Sequence, residues 1–315
     1  VLLGYNVAQG AGAIDDNVII GSGAASSATF VGDDNVVIGK DAGTHLTSGH
    51  SNVLIGHTSG GITTGIGNTA VGFEALKTED DHGQNVAVGF KALTALNAGL
   101  NANNTAVGYN AATTLAGGQQ NVAIGYQAFN SADEDDESVA IGSNALNAQN
   151  AGNATNNVGV GCDVGVNLTT STGTTLIGTD ANGSGIMTGG ANTAVGNEAL
   201  FSCTSGEGNT VMGYQAGRAL LGGSFNVAIG REALETEDGH DGNIAIGYRS
   251  LRLQDAGSHV YNIGIGYEAG QQNTTGSANL YLGYKAGEEV TTGSNNIYLG
   301  YNAGKGNSSA PTTGS

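Results

Sequence analysis

The chain has 315 residues, of which 56 are Gly and one is Pro, with no Trp, 11% charged residues and 39% hydrophobic ones. This is not the composition of an ordinary enzyme domain, and the absence of Gly-X-Y order excludes collagen. A net charge of −18 with only nine Lys and Arg argues against binding nucleic acid through its phosphates and against docking on an anionic membrane surface.

Val1 opens in the middle of a phrase that recurs along the chain, without an initiator Met, so the sequence reads as a slice of a longer or processed polypeptide. The phrase is seen as "NTAVGFEAL" at Asn68, "NVAVGFKAL" at Asn85, "NVAIGYQAF" at Asn121 and "NVAIGREAL" at Asn226. With its Gly as anchor there are 18 units, at Gly4, Gly21, Gly39, Gly56, Gly72, Gly89, Gly108, Gly125, Gly142, Gly161, Gly178, Gly196, Gly213, Gly230, Gly247, Gly266, Gly283 and Gly300, spaced by 16 to 19 residues. A unit this short holds no helix pair, and its β-branched, alternating phrase predicts a short strand ended by Gly. Stacked, such units predict an all-β, parallel β-solenoid over residues 1–304, followed by a Ser/Thr/Gly-rich tail or linker over 305–315.

Positions are numbered from the anchor. Position −1 is aliphatic in every unit, and position −3 is Val, Ile, Leu or Thr. These two are expected to share the interior face of the strand. Position −2 is then expected to face outward, where an uninterrupted apolar stripe would need a cover from another chain. The candidate interface residues are Ala70, Ala87, Ala106, Ala123, Ala140, Ala194, Ala228 and Ala245, with Tyr281 and Tyr298 at a wider C-terminal end. Asn occupies position −4 in 15 of the 17 units that show it, Ser138 and Thr174 being the exceptions, and predicts an amide ladder from coil to coil. Position +1 is Tyr or Phe in ten units, a packing stripe or an aromatic ladder for sugars. Position +3 is Ala in 14 of 18, which predicts a second tight place, a short second strand.

The loops between phrases are rich in Thr, Ser, Gly and Asn, and four are acidic: Asp33 and Asp34, "TEDDHG", "ADEDDE" and "TEDGHDG". Their carboxylates and imidazoles make Asp80, Asp81, His82, Asp135, Asp136, Asp238, His240 and Asp241 candidate ligands for Ca2+ or another cation, the alternative being solvated, solubilising loops. No loop follows the EF-hand order. Cys162 and Cys203 form neither a disulfide framework nor a metal spacing, and there is no signal-peptide pattern or membrane-spanning run. No nucleophile elbow, HExxH or cleft carboxylate pair is present, so no catalytic residue, organic cofactor or enzyme activity is expected.

The phrase N-[VT]-A-[IV]-G followed by Y-x-A-L resembles the head repeats of trimeric autotransporter adhesins, the YadA-like heads, and related repeats of phage and virus tail fibres, from Val1 to about Gly304. The resemblance implies a left-handed β-roll, one coil per repeat, in three chains packed as a rod, here about 85 Å long at about 4.8 Å per coil. It also implies a structural and adhesive extracellular fibre segment on a cell surface or virion, presenting loops to a glycan or protein receptor. The coils here are longer than in the bacterial heads, and no stalk or anchor is in the sequence. A self-assembling filament without receptor function is the alternative, and an ice-binding solenoid lacks its regular Thr array.

Overall fold

The computed structural model describes residues 1–8, 12, 15–78, 81, 83–98, 102–152, 155–255 and 260–305. Among them every regular element is a β-strand, and no helix is long and apolar enough to cross a membrane. The tail beyond Lys305 lies outside the described residues.

The chain is a parallel β-solenoid in two compact units, Val1–Asn156 and Asn157–Ser315. The first carries β1 (Leu2–Leu3), β2 (Val18–Ile20), β3 (Val36–Ile38), β4 (Val53–Ile55), β5 (Thr69–Val71), β6 (Val86–Val88), β7 (Thr105–Val107), β8 (Val122–Ile124) and β9 (Val139–Ile141). Each pairs with the next, every residue beside its equivalent, as Ala70 beside Ala87 and Ala87 beside Ala106. The second carries β10 (Val158–Val160), β11 (Thr175–Ile177), β12 (Thr193–Val195), β13 (Thr210–Met212), β14 (Val227–Ile229), β15 (Ile244–Ile246), β16 (Ile263–Ile265), β17 (Leu280–Leu282) and β18 (Ile297–Leu299), paired by the same rule.

The anchor Gly ends each strand because no other residue fits. At Gly89 φ is 137°, and a Cβ there would run into the carbonyl oxygen of Gly108 in the next coil. The chain then turns through a left-handed residue at +2 and another at +4, Lys91 (φ 56°) and Leu93 (φ 50°), with buried Ala92 between them. These dihedrals exclude an extended segment, so the second strand expected at the Ala is a turn among the described residues. Coils still bond there: Lys91 N–H donates to Phe73 C=O at 2.8 Å and Leu93 N–H to Ala111 C=O at 3.1 Å.

The facing expected for the strand is reversed. Position −2 points into the coil: Ala70, Ala87, Ala106, Ala123, Ala140, Ala194, Ala228, Ala245 and Tyr281 are buried by their own chain, and only Tyr298 is partly open. They are therefore not a surface on which another chain packs. The half-open residues are those at −3 and −1, such as Thr69 and Val71. The reason lies at position −4. The Asn there is buried, and the two-residue period of a strand places −2 on the same inward face.

Position −2 packs across the coil on position +4, and the two sizes compensate. Where −2 is Ala, +4 is mostly large: Leu76 for Ala70, Leu93 for Ala87, Phe129 for Ala123, Leu200 for Ala194 and Leu234 for Ala228. Where −2 is large, +4 is Gly or small: Gly43 for Val37, Gly60 for Leu54, Gly217 for Val211 and Gly287 for Tyr281. A Cβ on Gly60 would lie 2.5 Å from Leu54 Cδ2, and one on Gly217 3.3 Å from Val211 Cγ2. Tyr281 fits because both Gly270 and Gly287 leave its ring room.

The Asn column closes the coil at the other end of the strand. Asn121 Oδ1 accepts the N–H of Ser138 one coil on, at 2.9 Å, while its Nδ2 donates to Asp135 C=O of its own coil at 2.7 Å. The same pair of bonds is made by Asn104, Asn209, Asn226 and Asn279. Amide-to-amide bonds of the expected kind, such as Asn52 Nδ2 to Asn35 Oδ1 at 3.1 Å, are added in several coils.

Two outcomes follow for thermal or denaturant melts. Ala87→Leu alone overpacks the coil and Leu93→Gly alone empties it, each lowering stability by about 1–4 kcal/mol, whereas the double variant reproduces the Leu54/Gly60 pairing and melts close to wild type. Additive losses in the double variant would refute the pairing. Asn121→Ala strips partners from two buried backbone groups and lowers stability by about 2–5 kcal/mol.

Candidate functional site

Two features of the surface have the makings of a site: the outward face of the strands with its aromatic columns, and the acidic loops.

The outward face is built by positions −3 and −1. In the first unit position −1 runs Ile20, Ile38, Ile55, Val71, Val88, Val107, Ile124 and Ile141, half-buried or exposed. In the second, Met212, Leu282 and Leu299 are exposed on the same column. Next to it stand the residues at +1. Phe73, Phe90, Tyr109 and Tyr126 stack with centroids 5.1, 4.9 and 5.5 Å apart and planes within 12°. His57 continues the stack at 5.5 Å. In the second unit Tyr248, Tyr267, Tyr284 and Tyr301 stack at 4.9, 5.2 and 5.1 Å, the first pair inclined by 27°. The strand spacing of the sheet sets this separation, so the ladder is a consequence of register.

The cations are confined to the ladder column and the corner next to it. All nine Lys and Arg stand at +1, +2 or +5 of their coils, an order that only the alignment on the anchor Gly makes visible in the sequence. Glutamates at +2 and +5 share the corner. Glu74 meets Lys77 at 2.7 Å and Lys91 at 3.7 Å, and Glu198 meets Arg218 at 3.0 Å. Glu232 contacts Arg231, Arg249 and Arg252 at 2.9, 2.6 and 3.4 Å. The Gln215 amide and the Arg218 guanidinium hold the Glu198 carboxyl below the usual range. Arg249 and Arg231 also lie over the Tyr248 ring, at 4.9 and 6.0 Å.

The acidic loops sit elsewhere on the coil, and three of their predicted ligands, Asp135, Asp136 and Asp241, are engaged by backbone N–H groups. Asp136 Oδ1 accepts Gln119 N–H at 2.6 Å, and Asp241 Oδ1 accepts Ser224 N–H at 2.7 Å. Both stand at +11 and cap the +11 amide of the preceding coil, a task performed elsewhere by the hydroxyls of Ser224 and Ser294. Exposed Asp81 accepts a bond from Thr64 Oγ1 at 2.9 Å. Asp80 and His82 lie outside the described residues. Asp135 is fully buried, its Oδ1 accepting from Ala151 N–H at 2.8 Å and Gly152 N–H at 3.3 Å, while its Oδ2 has no partner.

Among the described residues one cluster is drawn together, and only in part as expected: Asp238 and His240 with Glu237, their ligand atoms all within 4.8 Å of one another. Asp241 is replaced in it by Glu237, a residue that the sequence does not mark as a ligand. Glu237 stands at +7, where other coils place Leu46, Leu96, Leu115 and Leu220 in the core, and it is fully buried. Burial pushes its carboxyl up to about 7 against the opposing pull of His240. Its Oε1 meets His240 Nδ1 and accepts His240 N–H.

Asp135 carries a pH dependence. Desolvation raises its carboxyl above the ordinary aspartate range, with the Asp136 charge adding and the Ala151, Gly152 and Gln149 hydrogen bonds opposing. A folded-state value above the unfolded one means that the stability contribution is complete below about pH 3.9 and is lost as pH rises through the folded value. Asp135→Asn keeps an acceptor for both amides and cannot ionise. It should therefore melt with wild type near about pH 3 and above it near neutrality; an equal offset at both would disprove the burial effect. Compared with protein-family models and with curated proteins, the chain gives no significant match.

Proposed function

We propose that this chain is a segment of an extracellular structural and adhesive fibre, non-enzymatic, assembled as a homotrimer through the outward strand face and displayed on a cell surface or virion. The observation that carries the reading is that face itself. Inward of the two end coils the interior is closed by the chain's own −2, +3 and +4 residues, yet −1 is aliphatic in every coil and lies beside runs of stacked aromatic rings. A contiguous apolar column of this length on a lone surface is an association surface. Three as the number of chains rests on the resemblance to the YadA-like heads. Loops recurring along such a rod would bind a glycan or protein receptor through many weak contacts at once, and the net charge of −18 limits adhesion to acidic surfaces.

Light scattering of the folded particle tests the reading. Wild type should weigh three chains, about three times 31.1 kDa. Val88→Glu combined with Val107→Glu charges the outward column without touching the interior, and should give a single-chain mass with an unchanged far-UV spectrum. A wild-type monomer, or a variant still weighing three chains, would overturn it.

A further inference from the structure

Position +7 is a core position, and the loop bearing Glu237 puts a carboxylate there. Nothing in the coil neutralises it in full: Glu237 Oε1 is taken up by His240, but Oε2 is buried without a hydrogen-bond partner. An orphaned carboxylate oxygen in the place of a core Leu is among the costlier things a fold can hold, unless a cation sits on it. The acids that serve the fold alone behave differently, since Asp136 and Asp241 each cap a backbone N–H of the neighbouring coil.

The groups around Glu237 are set rather than loose. Asp238 C=O accepts Leu221 N–H at 2.8 Å and Gly222 N–H at 2.9 Å from the coil before. His240 C=O accepts Asn226 Nδ2 at 2.8 Å, which ties the loop to the Asn column. His240 is nearly fully buried, whereas Asp238 is exposed, so the cluster runs from the core to the surface. The order Glu-Asp-x-His at +7, +8 and +10 also occurs at Glu79, Asp80 and His82, outside the described residues.

We propose that Glu237, Asp238 and His240 form a binding site for a divalent transition cation of the zinc class. An imidazole nitrogen with two carboxylates is a donor set for Zn2+ or its first-row neighbours, which accept three protein ligands and keep one position open toward solvent. Calcium takes six to eight oxygens, more than this loop offers. This proposal is independent of the fibre reading.

The test uses the full chain without an affinity tag, stripped with chelator and titrated calorimetrically with ZnCl2 and, separately, with CaCl2. Wild type should bind zinc, melt higher with it and give no calcium heat. His240→Gln and Asp238→Asn should each weaken the zinc binding at this loop by at least about tenfold. Asp238 is exposed, so its variant stays folded even if changes at the buried positions do not, and far-UV spectra check both. Absence of zinc binding, a preference for calcium, or zinc isotherms unchanged in both variants would each overturn the proposal.

Discussion

The column of anchor glycines is the constraint on which the rest of this structure depends. Along the column the backbone of one coil lies so close to the carbonyl of the next that a β-carbon has no room, as at Gly72 against Gly89 and Gly125 against Gly142; at Gly300 of the final coil the space is open. With the coils held at that distance, every equivalent residue is stacked on its copies, and position-specific chemistry becomes column-specific chemistry. A residue suits its place only if it tolerates its own image one strand step away. Asn does so by handing its amide oxygen to the next backbone N–H, Phe and Tyr do so by stacking, and Ala does so by being small.

Charge tolerates such stacking least, and its placement shows how the chain deals with it. Cations and glutamates share one corner, where they alternate as Glu232, Arg249, Glu268 and Lys285 in successive coils, so that Arg249 pairs with Glu232 and Lys285 with Glu268. Of the acids at +11, Asp136 and Asp241 turn their charge on the amide of the coil before. Among the described residues Glu237 and Asp135 are the fully buried carboxylates, and each retains an oxygen without a partner.

The coils, their strands and their count were legible from the spacing of Gly and Asn, because backbone stacking admits few residues at those places. The facing of the strand is the opposite of what alternation alone suggests, although the sequence carries a signal for it. The inverse sizes of −2 and +4, Ala87 with Leu93 against Leu54 with Gly60, can be seen by eye in the sequence and place both inside the same coil. A short strand with aliphatic residues at all three positions gives no polar face to break the tie, and only the Asn two residues earlier fixes it. For the loop cluster, the pair Asp238 and His240 was visible as chemistry. Glu237 was hidden by its position, since membership of the core is a property of the column and not of the acidic run in which it stands.

The inverse sizing of −2 and +4 also bears on how such a chain can change over generations. Within a coil the two residues are six positions apart, and neither can drift alone without a void or a clash. Exchange between repeats that breaks in the loop carries both partners together and is silent to the fold. Exchange that breaks inside the phrase, between −2 and +4, would join a Tyr281-like coil to a Leu93-like one and fail. The variable loops are therefore the natural seams at which coils are gained, lost or traded, and a duplicated segment should keep its phrase whole while its loop is free to diverge.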